Sequence, residues 1–177
     1  MTDEDMGPAR VRLTARLRLE PIGAEHAEDL LRLYQDPAVA EWFGVWTREM
    51  IEREAARMAR GWEVDGVHKW MAYDRTTGML IGRGGLSRAR IEGQERLEIG
   101  WAVRGQFWGQ GFATEIGRAG LTFAFDELAA DEVVSFTEPH NARSRAVMDR
   151  LGFGYRHEFV REETGETFAL YSLSRPS

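Results

Sequence analysis

The segment Gly105-Gln106-Phe107-Trp108-Gly109-Gln110-Gly111 places three glycines between a strand pattern that ends near Val103 and a helix pattern that opens near Gly111. A helix N-terminus offers backbone N–H groups without intrahelical partners and a partial positive charge. Glycines let the loop curl so that these groups converge with no side chain in the way. The chemistry this suits is capture of an anion, phosphate above all. Two nucleotide loops are excluded. A Walker loop requires a lysine that the stretch lacks, and a dinucleotide fingerprint is begun by Gly109 and Gly111 but has Thr114 at its third glycine position. A plain strand-to-helix turn is the alternative that this stretch alone leaves open.

Composition narrows the rest. The absence of cysteine removes disulfides, thiolate metal ligands and a cysteine nucleophile. His26, His68, His140 and His157 are scattered without metal-ligand spacing, so no metal is expected. A net charge of −6 argues against a nucleic-acid partner. All basic residues except Lys69 are arginines, whose planar guanidinium suits bidentate phosphate contacts. A length of 177 residues fits a single domain over 1–177. No apolar run approaches the roughly 18 residues of a membrane span, and no membrane partner is expected. Met1 to Val11 reads as a flexible N-terminal tail without a secretory signal, which points to the cytoplasm.

The elements that must position the loop follow from periodicity. Ala15, Leu17 and Leu19 alternate with Arg16, Arg18 and Glu20 as a strand with one wet face. Ala27, Leu30, Leu31 and Tyr34 have helical spacing, which Pro37 stops. Thr47 caps a second helix whose buried stripe is Ile51, Ala55, Met58 and Trp62. Lys69–Tyr73, Met79–Leu86 and Arg96–Val103 form an antiparallel meander turning at Asp74–Gly78 and Glu92–Gly93. A helix runs from Ala113 to Ala124, and a short strand from Glu132 to Thr137. Asn141 caps a helix ended by Gly152, and Tyr155–Val160 and Glu166–Leu173 close the chain as a hairpin. Strand–helix–strand units in the middle imply a mixed sheet with helices packed on it.

The stretch Glu98 to Glu115, read through Trp108-Gly109-Gln110-Gly111-Phe112-Ala113, resembles the acyl-CoA-binding motif of the GNAT superfamily of N-acetyltransferases, in the form typical of its RimJ/RimL branch. Trp108 stands where Gln or Arg is common in the superfamily. Asn141-Ala142-Arg143-Ser144, in a helix that ends Leu151-Gly152-Phe153, and the opening Leu13-Thr14-Ala15-Arg16-Leu17-Arg18-Leu19 resemble further segments of that branch in order and spacing. The resemblance implies an α/β (α+β) GNAT fold: a mixed, mostly antiparallel, V-splayed central sheet of about seven strands flanked by about four helices. It implies acetyl-CoA as cofactor. Backbone groups of Trp101, Ala102 and Val103 would pair with pantetheine; N–H groups of Trp108, Gly109, Gln110, Gly111, Phe112, Ala113 and Thr114 would hold the pyrophosphate; Asn141 would meet pantetheine from the other side.

The implied reaction is attack of a neutral amine on the thioester. Amines near pH 7 are mostly protonated, so a proton acceptor is needed. Glu98 is the candidate base, because alternation puts it on one face with Gly100 and Ala102 on the strand leading to the loop. The other reading of Glu98 is a solvated strand glutamate paired with Arg83 or Arg96. Ser144 is the candidate acid, matching a serine that approaches the thioester sulfur in the branch; a polar first-turn residue is its alternative, and Tyr155 does not match the tyrosine of other members. Arg104, Arg143, Arg145 and Arg150 are candidates for the nucleotide 3′-phosphate, and Asp36, Glu41 and Glu98 for an anionic mouth. The acceptor is a protein N-terminus or a small-molecule amine, and a homodimer is in keeping with the branch. An acyl-CoA-binding sensor without turnover is the competing function.

Overall fold

The computed structural model describes residues 7–177. Met1–Met6 of the expected tail lie outside the described residues, and Arg10 donates to Glu127 at 3.2 Å. In chain order the elements are β1 (Arg12–Leu13), β2 (Leu17–Pro21), α1 (Ala27–Gln35), α2 (Pro37–Phe43), α3 (Arg48–Asp65), β3 (Lys69–Asp74), β4 (Leu80–Ile91), β5 (Gln94–Val103), α4 (Phe112–Thr122), β6 (Glu132–Thr137), α5 (Ala142–Leu151), β7 (Gly154–Val160) and β8 (Thr167–Ser174). They form one eight-stranded sheet in the order β1-β2-β3-β4-β5-β6-β8-β7.

Eight strands and five helices replace the expected seven and four. The extra strand is β1, only two residues long, which pairs antiparallel with β2. The extra helix is α2. Pro37 does end α1, since it cannot continue a helix, but its fixed φ also suits the first position of a new one. Asp36 caps α2 through a bond from the Ala38 N–H at 3.0 Å. Thr47 caps α3 as expected, and Ile51, Ala55, Met58 and Trp62 are all buried. At the β4–β5 turn, Glu92 and Gly93 both have positive φ (50° and 80°), the geometry of a tight two-residue hairpin.

Every strand pair is antiparallel except β5–β6. Those two meet through one register pair, Glu98 with Val134, and a bond from the Ser135 hydroxyl to the Ile99 carbonyl at 2.8 Å. Beyond Ile99 they splay apart. The sheet separates two apolar clusters, and a third gathers Val134, Phe159, Phe168 and Leu170 of β6–β8 with Ile91. One face packs against α4, where Gly84 and Gly120 admit Ile116 and Ile99. The other lies under α1–α3, with Leu30, Leu33, Tyr34, Ile51 and Met58 over Met71 and Tyr73. No helix among the described residues is long and apolar enough to cross a membrane.

Candidate acyl-CoA cleft and acceptor face

The site is a gap opened by the β5–β6 splay, approached from both faces of the sheet. Odd and even residues of β5 divide the work. The Gly100 and Ala102 carbonyls lie against Gly84 and Gly82 of β4. Alternation therefore turns the backbone groups of Trp101 and Val103 toward the gap and those of Ala102 away from it. The Val103 carbonyl is taken by the Trp108 indole N–H at 2.8 Å, which pins the loop to the end of its strand.

The loop that follows makes one tight turn over Gly105–Phe107 and then passes Gly109 (φ 75°) and Gly111 (φ 82°), both left-handed. A Cβ on Gly109 would meet nothing within 4 Å, and one on Gly111 only the end of Arg16 at 3.6 Å. The Cβ positions of both glycines thus face open or nearly open space. The Trp108 N–H is spent on the Gly105 carbonyl at 3.2 Å, so it leaves the expected set. The N–H groups of Gly109 to Thr114 make no bond to protein among the described residues; Glu115 is the first to do so, donating to the Gly111 carbonyl at 3.0 Å. Unpaired donors, open space and the positive end of α4 together fit a pyrophosphate.

A residue that local pattern reading overlooked braces this cradle. Arg16 on the β1–β2 turn donates to the Gln110 carbonyl (2.9 Å) and to Glu115 (2.7 Å), and its guanidinium lies over the Phe112 ring at 4.1 Å. Glu115 also accepts from the Thr14 hydroxyl at 2.7 Å. Burial works against its charge, but these bonds outweigh burial and hold its pKa below the ordinary carboxylate value.

Asn141 caps α5 through a bond from the Ser144 N–H at 3.1 Å, which leaves its Nδ2 unbonded among the described residues. The Ser144 hydroxyl oxygen accepts the Trp101 indole N–H at 3.2 Å. Its own proton is therefore free to be given away. Of the candidate phosphate arginines, Arg143 stacks over Trp108 at 4.1 Å beside the loop. Arg145 is committed to the Tyr171 hydroxyl and the Pro139 carbonyl, and Arg104 to the Leu80 carbonyl. Arg150 stands at the far end of α5 beside Arg118 and Arg175. Tyr155 sits half-exposed on β7 against Tyr171.

On the opposite face, Glu98 pairs with neither Arg83 nor Arg96. Arg96 pairs with Glu132, and Glu98 Oε2 accepts from Lys69 Nζ at 2.8 Å and from the Ser87 hydroxyl at 3.1 Å. Lys69, the only lysine of the chain, also donates to the Gly85 carbonyl at 2.7 Å. Its burial pushes the ammonium pKa down, and the Glu98 charge opposes that fall. Glu98 Oε1 has no bonding partner among the described residues and lies 2.9 Å from the point where a Gly100 Cβ would stand. The expected anionic mouth is thinner than its three residues suggest: Asp36 is spent on its cap and Glu98 on Lys69, leaving Glu41 exposed. Trp42 of α2 packs at a tilt against His140, with ring centroids 5.1 Å apart, and so ties the α1–α3 layer to the loop before α5.

Residues 16–154 match the model of the family described as Acetyltransferase (GNAT) domain. The chain is 33% identical over 181 aligned positions to the FsC-acetyl coenzyme A-N(2)-transacetylase of Aspergillus fumigatus, covering 92% of this chain and 75% of that protein. Among solved structures it is similar to a putative GnaT-family acetyltransferase from Bordetella pertussis, with a TM-score of 0.82 at 21% identity over 94% of this chain and 99% of that one. It is also similar to a putative ribosomal-protein-serine acetyltransferase from Vibrio cholerae, with a TM-score of 0.78 at 21% identity over 96% and 99% of the two chains.

Proposed function

The chain belongs to the GNAT acetyltransferase family, enzymes that move an acetyl group from acetyl-CoA to an amine, and from that premise we propose the acceptor and the residues that serve it. The acceptor is a primary amine, on a protein N-terminus or a small molecule, and it attacks the thioester directly. The chain sits in the RimJ/RimL-like branch and acts in the cytoplasm. The Trp-Gly-x-Gly loop supports the branch, and the absence of cysteine supports the compartment.

Acetyl-CoA, when bound, supplies the acetyl group as an activated thioester. The N–H groups of Gly109 to Thr114 hold its pyrophosphate, and the gap-facing backbone of Trp101, with Asn141, holds the pantetheine arm. The Val103 N–H is offered to the carbonyl oxygen as charge develops there. Glu98 takes the amine proton at Oε1, directly or through water, while Lys69 and Ser87 hold Oε2 in place. Ser144 gives a proton to the leaving sulfur from the hydroxyl that Trp101 orients.

The observation that carries this reading is the free oxygen of Glu98 on one face of the splayed strand and the free proton of Ser144 on the other. It is tested by measuring thiol release from acetyl-CoA across primary amines and N-terminal peptides. Turnover with at least one amine, reduced by Glu98→Gln, supports the reading; acetyl-CoA binding without thiol release for any amine overturns it in favour of a sensor.

A further inference from the structure

Arg83 lies on β4, on the same sheet face as Lys69 and Glu98, and is only 8% exposed. Its Nε donates to the Tyr34 hydroxyl at 2.8 Å. The rings of Tyr34 and Phe43, stacked on each other with centroids 5.5 Å apart, lie 5.6 Å and 5.0 Å from the guanidinium. Neither Nη has a protein partner among the described residues, and neither is sealed from solvent. The acids nearby are engaged elsewhere. Both oxygens of Glu54 bond Arg57, and Glu98 is held by Lys69.

This face of the sheet therefore carries two buried cations, Lys69 and Arg83, beside the carboxylate of Glu98. A buried guanidinium whose two Nη groups have no direct partner is costly, and its two-pronged donor edge matches a carboxylate. We infer that Arg83 binds a carboxylate of the acceptor, so that the amine acetylated by this chain belongs to an amino acid or a similar small amino-carboxylic acid. This rests on the reading of Glu98 as the group that meets the amine.

Arg83 and Lys69 stand on one face of neighbouring strands: Lys69 pairs with Gly85, two residues along β4 from Arg83, and Gly85 pairs with Gly100, over which Glu98 lies. The Phe43 ring, 5.0 Å from the Arg83 guanidinium, suits an apolar side chain on the acceptor.

The experiment is calorimetric titration of L-phenylalanine and L-methionine, each against its carboxamide, into the full chain with and without CoA. The acids are expected to bind at least tenfold more tightly than the amides. Arg83→Met, which keeps an apolar stem beside Tyr34 and Phe43, should abolish that preference, and Arg83→Lys should keep part of it. Acetyl-CoA affinity and the thermal midpoint should hold in both variants. Equal binding of acids and amides, no binding of either acid, or a preference that survives in Arg83→Met overturns the inference. The acid–amide comparison in the unaltered chain stands even where a variant fails to fold. Thiol release is read separately: if it fails while the acid preference holds, acetyl transfer is lost and the carboxylate site is not.

Discussion

Replacing Gly100 by alanine separates catalysis from folding. A Cβ at this position would stand 2.9 Å from Glu98 Oε1 and 3.5 Å from Lys69 Nζ, and its three nearest neighbours are all side-chain atoms. Ordinary contact needs about 3.4 Å or more, so the carboxylate must retreat by about half an ångström or swing away from the strand. A displacement of this order at a reacting group lowers rates by about 10- to 100-fold. Stability should move the other way. Gly100 is not in the left-handed region, so alanine strains nothing there, and it removes about 0.4–1 kcal/mol of unfolded-chain freedom. The assay is steady-state thiol release with the best amine found, beside thermal melting and an acetyl-CoA titration. The expected result is a kcat lower by at least tenfold, with the melting temperature and acetyl-CoA affinity held. An unchanged kcat would refute the claim that Glu98 Oε1 must lie over Gly100. Gly84→Ala is the contrast: its Cβ would press on the Gly100 carbonyl at 2.8 Å and on Ile116, so it should cost about 1–3 kcal/mol in stability.

Ser144→Ala should leave acetyl-CoA binding intact and lower kcat about tenfold or more; an unchanged kcat removes the hydroxyl from the chemistry. Arg16→Met removes the brace on Gln110 and Glu115, and acetyl-CoA should bind about tenfold more weakly by calorimetry; unaltered affinity would show that the loop holds its shape alone. His68 is buried and held neutral, its pKa pushed down to about 3 chiefly by burial and then by Lys69. The unfolded chain takes up that proton near pH 6.5, so this part of the stability is whole above pH 6.5 and is lost as the pH falls toward 3. By pH 5 the loss comes to about 2 kcal/mol. Urea unfolding at pH 8 and pH 5 should show His68→Gln losing less over that interval than the parent chain, and equal losses would refute the assignment.

Periodicity made most of the fold legible. The α3 stripe of Ile51, Ala55, Met58 and Trp62, the meander and the Asn141 cap rest on contacts a few residues apart, which local spacing records. Pro37 misled because one residue served two helices, ending α1 and opening α2. The ion pair of Lys69 with Glu98 and the brace from Arg16 to Glu115 join residues far apart in the chain, so neither leaves a local trace. A signal existed for the first. The turns at Asp74–Gly78 and Glu92–Gly93 set the strand register, which brings Lys69 opposite Gly85 and Gly85 opposite Gly100. On that register the lone lysine falls on the face of Glu98. The Trp108 latch was hidden differently: the position fits the family motif, but its indole and N–H both bond inside the protein.

The most direct test of the account is calorimetric titration of acetyl-CoA into the unaltered chain and into Gly111→Val. Gly111 has φ 82°, and the end of Arg16 lies 3.6 Å from where its Cβ would stand, so a β-branched side chain both strains the turn and presses on the arginine that braces the loop. Micromolar binding to the unaltered chain, lost in the variant, is the predicted result. No binding up to millimolar acetyl-CoA, or equal binding to both proteins, would contradict the assignment of the Gly109–Thr114 loop as the pyrophosphate site.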